Sequence, residues 1–251
     1  KWDWDAFWKN AEMYNESSRC MIEKWDVNCT EHPQVCGAAL ALQREYEFMA
    51  AACMDKFMLK TDRRVTKMML KGYEQDKAAN APQPKYRCLV WACPAHYYTN
   101  FTYWTQHCWG VTCVNDMEAM LSYQPITIGD KEQALADLVR CYEKMMMRSH
   151  TNGGYVNLLD ECWKMCEKFH TNIVIMYDHV SCKNVGGLHG LFEDQARERG
   201  IHLIWIPHDV MDPRTVSRRE MREAFSQYMV TVLNEKPLDP TLLDYEDTLS
   251  W

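Results

Sequence analysis

The protein has 251 residues, of which 47% are hydrophobic and 25% are charged, and its formal net charge is −7. This length predicts one large domain or two small ones, and the composition is typical of a soluble globular protein. The acidic charge without a basic block argues against nucleic acid as a partner. No apolar run approaches the roughly 18 residues of a membrane helix and no secretory signal opens the sequence, so we expect no membrane partner.

The twelve cysteines are scattered along the chain, and no two of them form a CxxC pair. A chain of this size does not need disulfides, and many free thiols together with 17 methionines suit a reducing, even anaerobic, cytoplasm. We therefore predict a cytoplasmic location. The missing CxxC gives no support to a self-contained zinc ribbon or a ferredoxin-type cluster.

The first 78 residues carry a helical pattern. In WDWDAFWKNAEMYNESSRCMIEKWD an apolar stripe is formed by Phe7, Ala11, Tyr14, Cys20 and Met21. After a break at HPQVCG two further helical stretches follow, and Asp62 is a plausible N-cap for the second of them. The polar, proline-bearing segment AANAPQPK then predicts a boundary, with a helical region at 1–82 and an α/β domain at 83–251.

After that boundary, short segments rich in branched and aromatic residues alternate with helical patterns. The predicted strands are 86–93, 109–116, 172–179 and 201–209, and the predicted helices are 99–107, 130–148, 154–169, 188–199 and 212–234. Asp130 and Asp212 are natural N-caps, with Pro213 in a first-turn position. Gly200 ends the helix before the last strand. The alternation predicts a parallel sheet with helices on both faces and sites at the carboxyl ends of the strands.

The predicted strand ends bring polar and sulfur-bearing side chains to one edge of the sheet. They are Cys93, Pro94, His96, Asn115, Asp116, Asp178, His179, Cys182, His208 and Asp209. Because the carboxyl ends of parallel strands meet in one crevice, we expect these residues to line it. Arg214, beyond the last strand, is interpreted as a structural partner of a nearby aspartate rather than as an anion-binding residue.

Cys182 in MYDHVSCKNVGGLHG, residues 176–190, follows a strand and precedes a helix. Lys183 and the amides of that helix would stabilise a thiolate, so we interpret Cys182 as a nucleophile or a metal ligand; a loop cysteine of no function is the alternative. Gly186 and Gly187 leave open a phosphate at the helix amino end, although a doubly wound nucleotide binder would carry a fingerprint that is absent here. Cys93 stays open between lining the site and packing.

The remaining cysteines are mostly predicted to pack in the interior. Cys162 and Cys166 lie four residues apart on the apolar stripe of a helix. The same interpretation applies to cysteines on other helical apolar faces or inside strands, which are Cys20, Cys53, Cys141, Cys88 and Cys113. Cys108, near the end of a helix, is left undecided.

Three segments carry a family resemblance in the same order: KYRCLVWACPAHYYTNFTYW…WGVTCVN, YDHVSCKNVGGLHG and RGIHLIWIPHDVMDPRTVSRREMREAF. With them the sequence resembles the benzoyl-CoA reductase and 2-hydroxyacyl-CoA dehydratase family, iron–sulfur enzymes of anaerobes, over nearly all of residues 85–235. The resemblance implies flavodoxin-like lobes with a helical part. The predicted fold class is therefore α/β, a flavodoxin-like parallel sheet with helices on both faces, preceded by a helical region.

The resemblance also implies a [4Fe–4S] cluster held by three cysteines, of which only Cys182 has a matching position here. Gly186 and Gly187 form the small-residue turn beside it and count among the implied cofactor-binding residues. The segment with the other two cysteines should lie upstream of Lys1. We therefore expect either a fragment of a longer chain or a paralogue that lacks the cluster.

Several partners follow from the same resemblance: a paralogous second subunit, an ATP-dependent iron–sulfur activator as electron donor, and an acyl-CoA substrate that accepts single electrons. DVMDPRTVS looks more like the reductase branch, so the leading prediction is benzoyl-CoA-type aromatic ring reduction. The alternatives are a 2-hydroxyacyl-CoA dehydratase subunit that performs radical dehydration, and a cluster-free, non-catalytic partner subunit. His96, His179 and His208 are the proton-donor candidates by position.

Overall fold

The computed structural model describes residues 2–43, 46, 55–119, 124–143 and 154–244. The helical region contains α1 (Trp4–Asn28) and α2 (Lys56–Ala78), which pack on each other, and residues 38–43 are also helical. Each long helix begins after an aspartate, Asp3 or Asp55, whose carboxylate accepts hydrogen bonds from two amides of the first turn. Such caps satisfy amides that have no partner inside the helix.

Asp62 does not cap a helix, and the prediction that it does was wrong. It lies inside α2 and is fully buried, where Lys24 of α1 donates to its carboxylate at 3.0 Å and Ser17 donates at 2.5 Å. The acid that precedes a basic helical segment has the local pattern of a cap, but here it neutralises a buried lysine of the neighbouring helix. Only the packing of α1 on α2 brings that lysine to it.

In its described residues the α/β region contains four strands, β1 (Tyr86–Trp91), β2 (Val111–Asp116), β3 (Ile173–His179) and β4 (His202–His208). All neighbouring strands are parallel, and their order in the sheet is β2-β1-β3-β4. The predicted α/β fold is confirmed, and the order is that of flavodoxin-like sheets. All of β2, and all but the first two residues of β1 and the last two of β3, are buried, as expected for strands covered on both faces.

Helices cover the two faces of the sheet. Those that contact it are α3 (Phe101–Trp109), α5 (Gly154–Lys168), α6 (Lys183–Gly186), α7 (His189–Arg199) and α8 (Arg218–Thr231), whereas α4 (Lys131–Glu143) packs on α1. Phe101 of α3 meets Phe225 of α8 with ring centroids 5.9 Å apart, and α5 and α7 meet in the same way through their aromatic residues. The chain crosses from β1 to β2 in one direction and later passes to β3 and β4 in the other direction. Because such crossovers are right-handed, the two helix pairs lie on opposite faces of the sheet. The end of the predicted helix 130–148, after residue 143, lies outside the described residues.

The last helix begins later than the sequence predicts. Asp212 is not its N-cap and Pro213 is not in its first turn; α8 begins after Ser217, which forms a capping box with Glu220. Asp212 instead accepts from the Arg214 amide and pairs with the Arg214 guanidinium at 2.6 Å. That pair fixes the turn after β4, which confirms the structural interpretation of Arg214. The other predicted caps hold, since Asp130 accepts from two amides of α4 and Gly200 ends α7 in a left-handed conformation.

The helical region and the sheet share one hydrophobic cluster, which contains Trp25 of α1 and Met69 of α2 as well as the strand residues. Arg87 of β1 strengthens the junction, because its guanidinium donates to three backbone carbonyls, two of them at the end of α1. The boundary between residues 82 and 83 stays a prediction. Within the described residues no helix is long and apolar enough to cross a membrane.

The interior cysteines behave largely as predicted. Those that are buried are Cys88, Cys113, Cys162 and Cys166, and the undecided Cys108 joins them. Cys20 and Cys141 are only half-buried, and Cys141 lies 3.0 Å from the Tyr14 hydroxyl. Cys53 lies outside the described residues.

Candidate functional site

The carboxyl edge of the sheet is organised around β1 and β3, which are neighbours although β2 lies between them in the chain. At this point the crossovers leave in opposite directions, so the loops after β1 and β3 diverge and leave a crevice. The loop after β1 carries Cys93 and His96, and the loop after β3 carries Cys182. His179 of β3 is paired in register with His208 of β4. The tertiary structure thus brings the predicted residues to one edge.

Three metal-binding side chains meet where β1 and β2 end. The Cys93 sulfur lies 3.6 Å from Nε2 of His96, and a carboxylate oxygen of Glu118 lies with both of them inside a 4.8 Å group. All three side chains are half-buried. Sequence reasoning missed Glu118, which sits in the short 3₁₀ helix Met117–Ala119 after β2. The signal that could have found it is an acid placed two residues beyond the end of a buried strand.

The backbone conformation at the ends of β1 and β2 orients these side chains. Ala92, directly before Cys93, has φ = 64°, a left-handed conformation that is costly for a residue with a Cβ. In β2 the pairing with β1 shifts by one residue, so that Cys113 faces Cys88 while Asn115 faces Leu89. Such a bulge redirects the residues that follow it. Here it precedes Asp116 and Glu118.

The His179 ring is hydrogen-bonded at Nδ1 and faces a carboxylate at Nε2. Its Nδ1 accepts from the Ser181 amide at 3.1 Å, so the proton of the neutral ring is on Nε2, which lies 4.0 Å from the Asp209 carboxylate. Two backbone amides, of Asp212 and Met211, donate to Asp209 and lower its pKa. Asp209 therefore stays ionised and orients the His179 ring from its Nε2 side.

His208 is fully buried beside the ring of Tyr177, at a centroid distance of 4.9 Å. Burial is the main cause that lowers its pKa from 6.5 to about 4, and His179 adds to the effect; backbone groups of Cys93 and Asp178 near the ring partly oppose it. Neither ring nitrogen makes a well-formed hydrogen bond. His208 is therefore neutral at neutral pH, which argues against a proton-donating role.

Burial of His208 makes stability depend on pH. Between pH 6.5 and 4, His208 binds a proton in the unfolded chain but stays neutral in the folded one. The free energy of unfolding should therefore fall as the pH falls through this window. The expected contribution of His208 to the loss from pH 7 to pH 5 is about 2 kcal/mol. Urea unfolding at both values would measure it. In His208→Leu the same interval should cost about 2 kcal/mol less; equal losses in both proteins would contradict the assignment.

A further histidine, which was not among the predicted proton donors, lies on the other side of β3. The His189 ring stacks on Trp205 at 3.5 Å, and its Nε2 lies 3.2 Å from the Asp178 carboxylate. The stacking and the contact with Asp178 together fix the start of α7 against β4. His189 and Asp178 therefore have a structural role here.

Cys182 occupies the N-cap position of α6 and is half-buried, but its sulfur makes no capping hydrogen bond. The helix that follows has only four residues, so it offers few amides to stabilise a thiolate. A Cβ on Gly187 would come within 2.9 Å of the Lys183 carbonyl, whereas one on Gly186 would meet only ordinary contact. Gly187 is therefore explained by the tight turn itself.

The described residues do not by themselves supply the ligands of a [4Fe–4S] cluster. Such a cluster is held mainly by thiolates. Within the described ranges, the group of three metal-binding side chains that lie within reach of one another is Cys93, His96 and Glu118, with one thiol among them. Cys182 could contribute one thiolate from the rim of the crevice. Two more would have to come from other parts of the protein or from a partner.

A groove of about 600 Å³ lies at the opposite, amino-terminal edge of the sheet, between α5 and the end of α7. Trp163, Cys166 and Arg199 are among the residues that line it. In open α/β sheets ligands bind at the carboxyl ends of the strands, so we place the candidate site there and not in this groove.

The family model described as 2-hydroxyglutaryl-CoA dehydratase, D-component, matches residues 1–229. The chain belongs to this family. The match confirms the family that the three sequence segments indicate, and it includes the helical region as well as the sheet. The chain is thus a dehydratase-type subunit, while the description gives no support to aromatic ring reduction. No curated protein matches the chain.

Proposed function

We propose that the chain is a subunit of an enzyme that removes water from a 2-hydroxyacyl-CoA thioester to give the 2-enoyl-CoA. The observation that carries the proposal is the family match, which runs through 229 residues and covers every strand of the sheet. A component implies partner subunits, and we propose a paralogous second subunit and an ATP-dependent activator as electron donor. The free cysteines of the described residues fit an oxygen-free cytoplasm.

Dehydration is a better-supported reaction than ring reduction. The segment DVMDPRTVS, which favours the reductase branch by resemblance, forms the turn between β4 and α8. Its polar residues are used locally: Asp209 accepts from backbone amides, Asp212 pairs with Arg214, and Ser217 caps α8. A turn stabilised in this way does not distinguish an aromatic from an aliphatic acyl group. The proposal therefore follows the family description.

Cys182 is proposed as one thiolate ligand of a [4Fe–4S] cluster whose other cysteines lie outside the described residues. Its support is the position at the carboxyl end of β3, half-buried at the crevice. Gly186 and Gly187 belong to the same proposal as the turn that positions this loop. Among the histidines, His179 is the preferred proton-transfer group, because Asp209 lies beside it. His96 stays a prediction in that role, whereas the burial of His208 argues against it.

The test uses the full-length subunit, purified without oxygen together with its partner. Cys182→Ser should lose iron and acid-labile sulfide, from about four irons per subunit, and keep its circular dichroism spectrum, because the residue lies in a rim loop. Cys20→Ser, at a half-buried cysteine of α1, is the matched control and should keep its iron. Iron that persists in Cys182→Ser, or is absent from the wild type, would refute the cluster proposal.

The reaction is tested separately with the activator and ATP added. 2-Hydroxyacyl-CoA should be converted to 2-enoyl-CoA, and benzoyl-CoA should be left unreduced. Reduction of benzoyl-CoA without dehydration of the hydroxy thioester would reverse the assignment of the reaction, whatever the iron content.

A further inference from the structure

We propose that Cys93, His96 and Glu118 form a binding site for one divalent metal ion of the zinc type, distinct from any iron–sulfur cluster. The three residues supply a sulfur, a nitrogen and an oxygen, which are the atoms that Zn²⁺ takes from proteins. They come from two loops that follow adjacent parallel strands. The inference is independent of the proposed function.

The distance between the sulfur and the nitrogen is the first argument. A tetrahedral Zn²⁺ with a bond of about 2.3 Å to sulfur and about 2.0 Å to nitrogen separates these two atoms by about 3.6 Å. The observed separation of Cys93 Sγ and His96 Nε2 is 3.6 Å. The carboxylate oxygen of Glu118 lies within 4.8 Å of both, so a small side-chain movement completes a three-ligand face.

The loop that carries two of the ligands is held rigidly, as a metal site requires. The His96 amide donates to the Val210 carbonyl at 3.0 Å, and the Tyr97 hydroxyl donates to the Val216 carbonyl at 2.7 Å. Arg222 donates to the Tyr98 hydroxyl at 3.0 Å. Three successive residues of the loop are thus tied to α8 or to the segment between β4 and α8.

The third ligand is also positioned by the fold. Asp116, at the end of β2, accepts from the Glu118 amide at 2.8 Å and so fixes the turn that presents the glutamate. The aspartate is almost fully buried, so this turn is held inside the protein.

Charge and coordination number fit the same ion. On binding, the Cys93 thiol loses its proton to solvent and becomes a thiolate, which with the Glu118 carboxylate balances the two positive charges of the metal. The His96 ring binds in its neutral form. Three protein ligands leave one position open to an oxygen ligand, the pattern of catalytic rather than structural zinc sites.

The experiment titrates the metal-free full chain with Co²⁺ in the absence of oxygen. One equivalent should produce the near-ultraviolet thiolate-to-cobalt charge-transfer absorption, and one equivalent of Zn²⁺ should abolish it. Cys93→Ser should show no such absorption. His96→Gln and Glu118→Gln should keep the absorption but bind at least about 10-fold more weakly, since even outer contacts of metal sites are worth 10- to 100-fold.

Two cysteine variants serve as controls. Cys36→Ser, at another half-buried thiol, and Cys182→Ser should both bind Co²⁺ as the wild type does. Three results would overturn the proposal. They are loss of the charge-transfer absorption in Cys182→Ser, its survival in Cys93→Ser, and Co²⁺ binding by the wild type without this absorption. Co²⁺ binding by a wild type that holds no iron would support this site while refuting the cluster. Iron in the wild type without the Co²⁺ absorption would support the cluster and refute this site.

Discussion

Lys24→Met is expected to lower the free energy of unfolding by about 4 kcal/mol, because it leaves the Asp62 carboxylate buried without its counter-charge. Both side chains are almost completely inaccessible, and the ammonium donates to the carboxylate at 3.0 Å. The Ser17 hydroxyl alone cannot replace that interaction. Urea unfolding of the wild type and the variant at pH 7 would measure the loss.

The double variant Lys24→Met/Asp62→Leu separates the charge effect from packing. With both charges removed, most of the stability should return, since hydrophobic replacements of buried ion pairs are often neutral or stabilising. Arg219→Met removes an ion pair with Glu223 on the exposed face of α8 and should leave the unfolding midpoint unchanged. A single variant as stable as the wild type, or a double variant as unstable as the single, would show that the pair does not act as described.

Asn28→Ala is expected to cost about 4 kcal/mol, because it leaves four backbone groups without their partners. The buried amide of Asn28 donates to the carbonyls of Val35 and Val114 at 2.8 Å and accepts from the amides of Gln34 and Val35 at 3.0 Å. Val114 is the residue of β2 that the shift in pairing leaves without a partner in β1. Asn28 thus supports the bulge that precedes Asp116.

The measurement combines unfolding with metal binding. Besides its lower midpoint in urea, Asn28→Ala should bind Co²⁺ more weakly, because Glu118 follows the bulge that Asn28 supports. Asn10→Ala, at an exposed asparagine of the same helix, is the matched control and should alter neither property. A normal midpoint in Asn28→Ala would mean that water replaces the lost hydrogen bonds. Normal Co²⁺ binding would separate the bulge from the metal site.

The strands were predictable because their signal is local. Each is a short run of branched and aromatic residues, and the structure has all four within two residues of the predicted ends. The alternation with helices also implied parallel pairing. The caps were less predictable, as Asp62 and Asp212 show: an aspartate before a helical segment has the same local pattern whether it caps the helix, pairs with a buried lysine or closes a turn.

The location of the site was predictable from the sequence, but the full set of its residues was not. Cys93 and His96 could be placed at a strand end, and the parallel sheet required the strand ends to meet. Glu118 could not be assigned, because its approach to Cys93 depends on the bulge in β2 and on Asp116. The neutral state of His208 could not be predicted either, because the ring is buried by residues of β3 and of the loop after β1.

Local pattern alone thus accounts for the α/β class, the helical region before the sheet and the family. Those features depend on residues that are neighbours in the sequence, where spacing and propensity act directly. The tertiary structure decided the strand order, the joining of α1 to the sheet through Asn28, and which side chains meet at the carboxyl edge. The physical reason is that these contacts join residues far apart in the chain, and their energies arise only when burial removes water from both partners.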